Sequence, residues 1–234
     1  MSEPRPRLFE SPTLRASGEF ILPTEKEAEE RILAVFERLQ DWEVQQGFEW
    51  YFRAHDKCAE LVEEFSQFGL DTNSMAGLVA ALSPQASWSQ NLVYARLLLT
   101  TDHAPTLGHS ITSARQIRDG EDPVAVLHHK DKNNLKVRSF HHNIANPDTS
   151  TEVTIDRHAW NLLFDDPKAT RKGRLYIKPD EYRWAAERYR QIAHGLGCMP
   201  HQIQAATWLG WKPPAIGDRQ IYGETVQGEL DWPK

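Results

Sequence analysis

A β-branched run, Val153-Thr154-Ile155, delivers Asp156, Arg157 and His158 to the start of an apolar helical pattern. Ala159, Trp160, Leu162, Leu163 and Phe164 continue that pattern. Asp156 therefore stands at the expected N-cap, the last extended residue before the helix. A carboxylate there is held rigidly against helix-end amides. It is either a plain cap or a cap that also points out of the fold toward a ligand. Arg157 and His158 place a basic pair beside it.

Positive charge gathers on both sides of Asp156. Residues 128–142 hold Lys130, Lys132, Lys136 and Arg138 with four histidines and a single acid, Asp131. Lys168, Arg171, Lys172, Arg174 and Lys178 lie between Pro167 and Pro179 with no acid at all. Two basic segments flanking a lone Asp suggest a focused site for a polyanion. Arg138, His141, Asn143, Lys168, Arg171, Lys172 and Arg174 are its candidate contacts. The alternative is a solvated basic face that balances acid elsewhere. Paired histidines at 128–129 and 141–142 raise the question of a metal. Adjacent helical residues point in different directions, so no metal site is expected.

A second dense segment runs Ala81-Leu82-Ser83-Pro84-Gln85-Ala86-Ser87-Trp88-Ser89-Gln90-Asn91. Pro84 ends one helix, since the residue before proline avoids the α region. Ser87 opens the next. The corner offers Ser83, Gln85 and Asn91 to read a base edge and Trp88 to stack on one. It also reads as a tight helix–helix corner with Trp88 in the core. Gln204 and Trp208 form a third candidate pair, four residues apart on one helical face. Gln204 on that face is either hydrogen-bonded inside or meets a ligand.

The elements that must position these groups are helical. The chain has 234 residues, 40% of them hydrophobic, with 8 Trp, enough for one large domain with a sizeable core. Thr24 and Glu27 form a capping box opening a helix whose apolar face is Ile32, Leu33, Val35, Phe36 and Leu39. A second helix is expected from about Phe48 to Phe68, and a third over Ser74–Leu82. Ser87 and Gln90 cap a fourth from Trp88 to Leu99. Further helices are expected near 110–118, 122–129, 134–145, from Asp156, over 180–196 and over 200–211. Strand signals are confined to 152–155 and 174–177, and either reads as a brief extended segment. The fold class is all-α: an extended arm over 1–23, a helical domain over 24–211 and an irregular tail over 212–234.

Composition narrows the functional classes. The net charge of -6 argues against a non-specific nucleic-acid coat but allows a local basic groove. Glu25 to Glu64 holds twelve acids against five bases and reads as scaffold. Cys58 and Cys198 are far apart, which excludes a four-cysteine cluster and leaves no disulfide framework to expect. No signal-type apolar segment and no membrane-length run is present, so a soluble, cytoplasmic protein is expected.

Together these segments resemble the helix-hairpin-helix DNA glycosylase superfamily over roughly 74–211. Leu82-Ser83-Pro84-Gln85 is similar to that superfamily's Leu-Ser-x-Gln corner, and Asp156-Arg157-His158 to its Asp-x-His block. The resemblance implies that Asp156 is a catalytic carboxylate. Lys136, twenty residues earlier, stands near the place of the nucleophilic lysine of bifunctional members. The chain departs from the pattern in its hairpin, where Asn133-Asn134-Leu135-Lys136-Val137-Arg138 contains no Gly-x-Gly, and it lacks the cysteine cluster of some members.

A divergent phage branch is the closer resemblance: the alpha-glutamyl/putrescinyl-thymidine pyrophosphorylases, or amino acid:DNA transferases. The shared pieces are Ser83-Pro84-x-x-x-Trp88-x-x-Asn91, Lys136-x-x-x-Phe140-x-x-Asn143-Ile144, Thr154-Ile155-Asp156-Arg157-His158-Ala159 and Gln204-Ala205-x-x-Trp208. This resemblance implies an enzyme acting on a flipped, pyrophosphorylated 5-hydroxymethyluracil in double-stranded DNA. An amino acid or polyamine would replace the pyrophosphate, with no cofactor. Asp156 would stabilise the reacting centre or act as base, and Lys136, Arg138 and Arg157 would neutralise the leaving group. A glycosylase excising a modified base and an inactive DNA-binding module are the alternatives.

Overall fold

A computed structural model describes residues 22–128, 134–166, 169 and 177–211. Among the described residues there are ten α-helices, one 3-10 turn and no strand. The all-α expectation holds. The arm up to residue 21 and the tail from 212 lie outside the described residues, as do Lys130, Asp131, Lys132 and most of 174–177.

Local signals set most boundaries. Helix α1 spans Glu25–Phe36 and carries the expected capping box: Glu27 N–H donates to Thr24 Oγ1 at 3.2 Å, and Thr24 N–H to Glu27 Oε2 at 2.7 Å. Helix α2 spans Asp41–Glu64, starting two turns before the expected Phe48. Its first turn is polar, and its N-cap is Gln40, whose N–H donates to Glu43 Oε2 at 3.0 Å. The 3-10 turn Ser66–Phe68 ends at Gly69, which is left-handed.

Helix α3, Thr72–Leu82, is capped by Asp71 and buries every residue from Met75 to Leu82. A helix apolar on all sides must be central. It packs against α2, α4 (Trp88–Thr101), α5 (Gly108–Arg118), α6 (Pro123–Leu127) and α7 (Leu135–Ala145). Their inward residues form one apolar core. A second core joins α1 to α8 (Arg157–Leu163), α9 (Pro179–Leu196) and the extended residues Val153 and Ile155.

Helix α10, Pro200–Trp211, stitches the two cores together. Ile203 enters the second core and Ala205 the first. Helix α7 lies on the same seam: Val137, Phe140 and Ile144 face the first core, and Leu135 packs on the second. Asp156 is delivered to this seam.

The α2–α10 contact depends on a missing side chain. A Cβ built at Gly47 would lie 2.3 Å from Ala206 Cα, a backbone atom that cannot step aside. Exposed helical glycines behave oppositely, because alanine there removes chain entropy from the unfolded state. Gly47→Ala should therefore lower stability by about 1–3 kcal/mol. Gly195→Ala in α9, where a Cβ meets nothing within 4 Å, should be neutral or raise it by up to about 1 kcal/mol. Urea midpoints of the two variants check both signs.

Candidate functional site

The segment leading to Asp156 is extended but belongs to no sheet among the described residues. Its backbone groups need other partners: Ile155 N–H closes on Val153 O and Asp156 N–H on Thr154 O, both at 3.1 Å, and side chains add further restraints. Tyr182 on α9 places its hydroxyl between two peptide groups, donating to Val153 O at 2.8 Å and accepting from Ile155 N–H at 3.1 Å. Arg190 Nε donates to Thr151 O at 3.0 Å. Asn143 on α7 donates through Nδ2 to Thr154 Oγ1 at 3.1 Å and accepts at Oδ1 from Ser150 Oγ at 2.7 Å. Two helices thus hold the segment taut.

Asp156 caps α8 as the sequence predicts. Its Oδ1 accepts from His158 N–H and Ala159 N–H, both at 2.8 Å. Its Oδ2 accepts from Trp208 Nε1–H at 3.2 Å. Three N–H donors from two helices fix the plane of one half-buried carboxylate. A plain cap would use only the helix amides; the indole is an added restraint from α10. His158 stands edge-on to Trp208, with ring centroids 6.2 Å apart, and accepts at Nε2 from Arg157 Nε at 3.2 Å. Arg157 is exposed.

Lys136 on α7 is half-buried and close enough to Asp156 and Arg157 for both charges to act on it. Burial lowers its pKa from the ordinary ammonium value. Asp156 works against that shift and Arg157 adds to it. The balance is a lowered pKa. A carboxylate partner considered alone would raise it, so desolvation decides the direction.

Behind the carboxylate lies a buried polar layer that the sequence did not announce. Tyr51 on α2 donates its hydroxyl to Gln204 Oε1 at 3.1 Å, and Asn143, Thr154 and Asp156 all act on it. Burial pushes its pKa well above the usual phenol value. Gln204 therefore meets Tyr51 inside, which was one of its two sequence readings. Tyr51 occupies a regular inward position on α2, and periodicity alone reads such a residue as apolar core. Tyr182 and Glu152 were missed as well, although Glu152 opens the Asp156 segment.

The other candidates separate into neighbouring groups. Ser83 and Asn91 are buried at the α3–α4 corner, and Ser83 Oγ and Asn91 Oδ1 have no hydrogen-bond partner among the described residues. Gln85 is exposed in the left-handed region, at φ 67°. Trp88 is partly buried against Trp50, at 5.3 Å between centroids, and Phe140, at 6.3 Å. Phe140 also touches Tyr51, so this aromatic cluster runs from the corner toward the carboxylate layer. Arg138 faces Glu152. His141 is buried, its Nε2–H donating to Asn73 Oδ1 at 3.0 Å. Lys168, Arg171, Lys172 and Arg174 lie outside the described residues. Among the described residues no three His, Cys, Asp or Glu side chains converge as a metal site, and no helix is long and apolar enough to cross a membrane.

The sequence pattern of a family of unknown function (DUF7178) matches residues 21–215. No curated protein and no solved structure matches the chain.

Two buried histidines give the fold an acid limit. Burial lowers the pKa of His141 and of His201 from 6.5 to about 4, although His201 Nε2–H donates to Pro147 O at 2.8 Å. Both are neutral in the fold and take up protons in the unfolded chain at higher pH. Their contribution is complete above pH 6.5 and is lost as pH falls toward about 4. Each histidine should add about 1.4 kcal/mol of lost stability per pH unit across that window. Urea unfolding at several pH values measures this. His141→Gln or His201→Gln should flatten the slope, and an unchanged slope in both variants would contradict the assignment.

Proposed function

The chain belongs to the DUF7178 family, and we propose that it is a DNA base-modifying enzyme with Asp156 as its catalytic carboxylate. One observation carries this reading. Asp156 is held by two helix amides and an indole N–H from a second helix, with Lys136, Arg157 and His158 around it. Preorganised charge beside a reacting centre is the largest single contributor to many enzymatic rates. A capping role alone does not call for the indole or the cations.

In its specific form, the proposal follows the resemblance to the amino acid:DNA transferases. The substrate is a pyrophosphorylated 5-hydroxymethyluracil turned out of the duplex. An amine nitrogen attacks the exocyclic methylene carbon as the carbon–oxygen bond to pyrophosphate breaks. The pyrophosphate leaves with the bonding electrons, and the nitrogen proton passes to a base. Asp156 serves as that base or stabilises positive charge at the methylene. Lys136 and Arg157 receive the departing charge.

A second reading rests on the lowered pKa of Lys136. A lyase-type glycosylase needs an uncharged lysine amine to attack the sugar carbon and form a Schiff base. Burial moves Lys136 in that direction. Borohydride separates the two: the transferase leaves no trapped adduct with DNA, whereas a crosslink lost in Lys136→Arg would make this a glycosylase.

Asp156→Asn tests what the readings share. An Asn oxygen still accepts from His158 N–H and Ala159 N–H, so the cap survives. The amide NH2 cannot accept from Trp208, which should cost about 1 kcal/mol. Turnover on modified DNA should disappear while the circular dichroism spectrum and melting profile stay close to those of the native protein. Turnover retained in this variant would remove Asp156 from the chemistry.

A further inference from the structure

We infer that the groove between α7 and α9 binds a phosphate-type oxyanion, which takes the place of Glu152 between Arg138 and Arg190. This goes beyond the base-modifying reading and does not depend on it, because the groove is built on Glu152 and not on Asp156.

The ion pairs in this groove are incomplete. Arg138 reaches from α7 to within 3.8 Å of Glu152 Oε1, and Arg190 reaches from α9 to within 3.9 Å of Oε2. A charge-assisted N–H···O bond closes to about 2.7–2.9 Å. Both guanidinium groups therefore face one carboxylate without bonding it closely. Glu152 is tied elsewhere: its Oε2 accepts from Ser139 Oγ at 2.9 Å, and its own N–H donates to Ser150 Oγ at 3.3 Å. Arg138 Nε is buried and has no hydrogen-bond partner among the described residues. A buried donor left without an acceptor is costly, and an arriving acceptor would relieve it.

The groove has room for such a group. Its volume is about 570 Å³ and it opens to solvent, with Leu135 and Trp184 among its walls. Arg190 is preorganised, since its Nε is fixed on Thr151 O at 3.0 Å. Two forked guanidinium groups on opposite sides match the tetrahedral oxygens of a phosphate. The neighbouring cations are already engaged. Arg188 is paired with Glu25 at 2.6 Å and Glu29 at 3.2 Å, and Arg183 with Asp180 at 2.8 Å. Arg190 Nη1 also meets Glu187 Oε2, but at 3.5 Å, so Arg138 and Arg190 are the groove cations whose carboxylate contacts all remain long.

The role of Glu152 yields an unusual expectation. A carboxylate that occupies the anion's place competes with it, so removing its charge should tighten binding. Isothermal titration calorimetry of the full chain with inorganic phosphate at constant ionic strength reads this directly. The native protein should show one saturable site. Glu152→Gln should bind about tenfold more tightly and Arg138→Gln about tenfold more weakly. Lys57→Gln, on α2 and outside the groove lining, should match the native protein. A duplex oligonucleotide that displaces the phosphate would identify a DNA phosphodiester as the occupant. A duplex that does not would identify a free phosphate-bearing molecule. Absence of saturable binding in both the native protein and Glu152→Gln would overturn the inference, as would undiminished binding in a folded Arg138→Gln.

Discussion

An extended segment with no neighbouring strand among the described residues sets the terms for the rest of the molecule. Residues 150–156 run between two helical cores, and their peptide groups have no ladder to join among the described residues. Buried backbone polar groups must be paired. The chain meets that demand with long polar side chains on flanking helices. Tyr182 bridges two peptide groups, and Asn143 binds on both sides of its amide. Ile155 N–H also closes on Val153 O at 3.1 Å, so the Tyr182 hydroxyl reinforces a turn that the backbone itself makes. The same restraints fix where Asp156 begins α8.

That arrangement explains why polar residues cluster at the seam between the cores. Helix α10 brings Gln204 and Trp208 from one side, and α7 brings Lys136 and Asn143 from the other. Close approach of α10 to α2 depends on Gly47, which meets Ala206 two residues before Trp208. Rigid elements of this kind hold a site more tightly than loops do. The site is accordingly rich in groups whose ordinary acid–base behaviour burial has shifted. Lys136 is lowered and Tyr51 is raised, each chiefly by desolvation.

Much of the fold was legible because helix starts carry local chemistry. Thr24 with Glu27 and Ser87 with Gln90 are reciprocal caps in the structure, and Asp156 caps α8. The start of α2 was misplaced because Gln40 is an unusual cap and the apolar period begins only after a polar first turn. The β-branched run at 153–155 reads equally as a strand or as an isolated extended piece. Only the absence of a partner strand among the described residues decides, and that is a long-range fact. The site was legible in part. Asp156 and Trp208 meet, and Lys136 lies within reach of the same charge. Tyr51 stayed hidden because its hydroxyl finds Gln204 across 153 residues of chain. The lowered pKa of Lys136 depends on burial, which spacing does not report. The loosely shared Glu152 likewise appears only when α7 and α9 are side by side.

As proposed above, this chain changes a base in DNA. Mass spectrometry of nucleosides tests it most directly. DNA carrying pyrophosphorylated 5-hydroxymethyluracil is incubated with the protein and candidate amines, digested and compared with an untreated sample. The modified nucleoside should be consumed, and an amine-bearing nucleoside or a missing base should take its place. An unchanged nucleoside composition with folded, DNA-bound protein would contradict it.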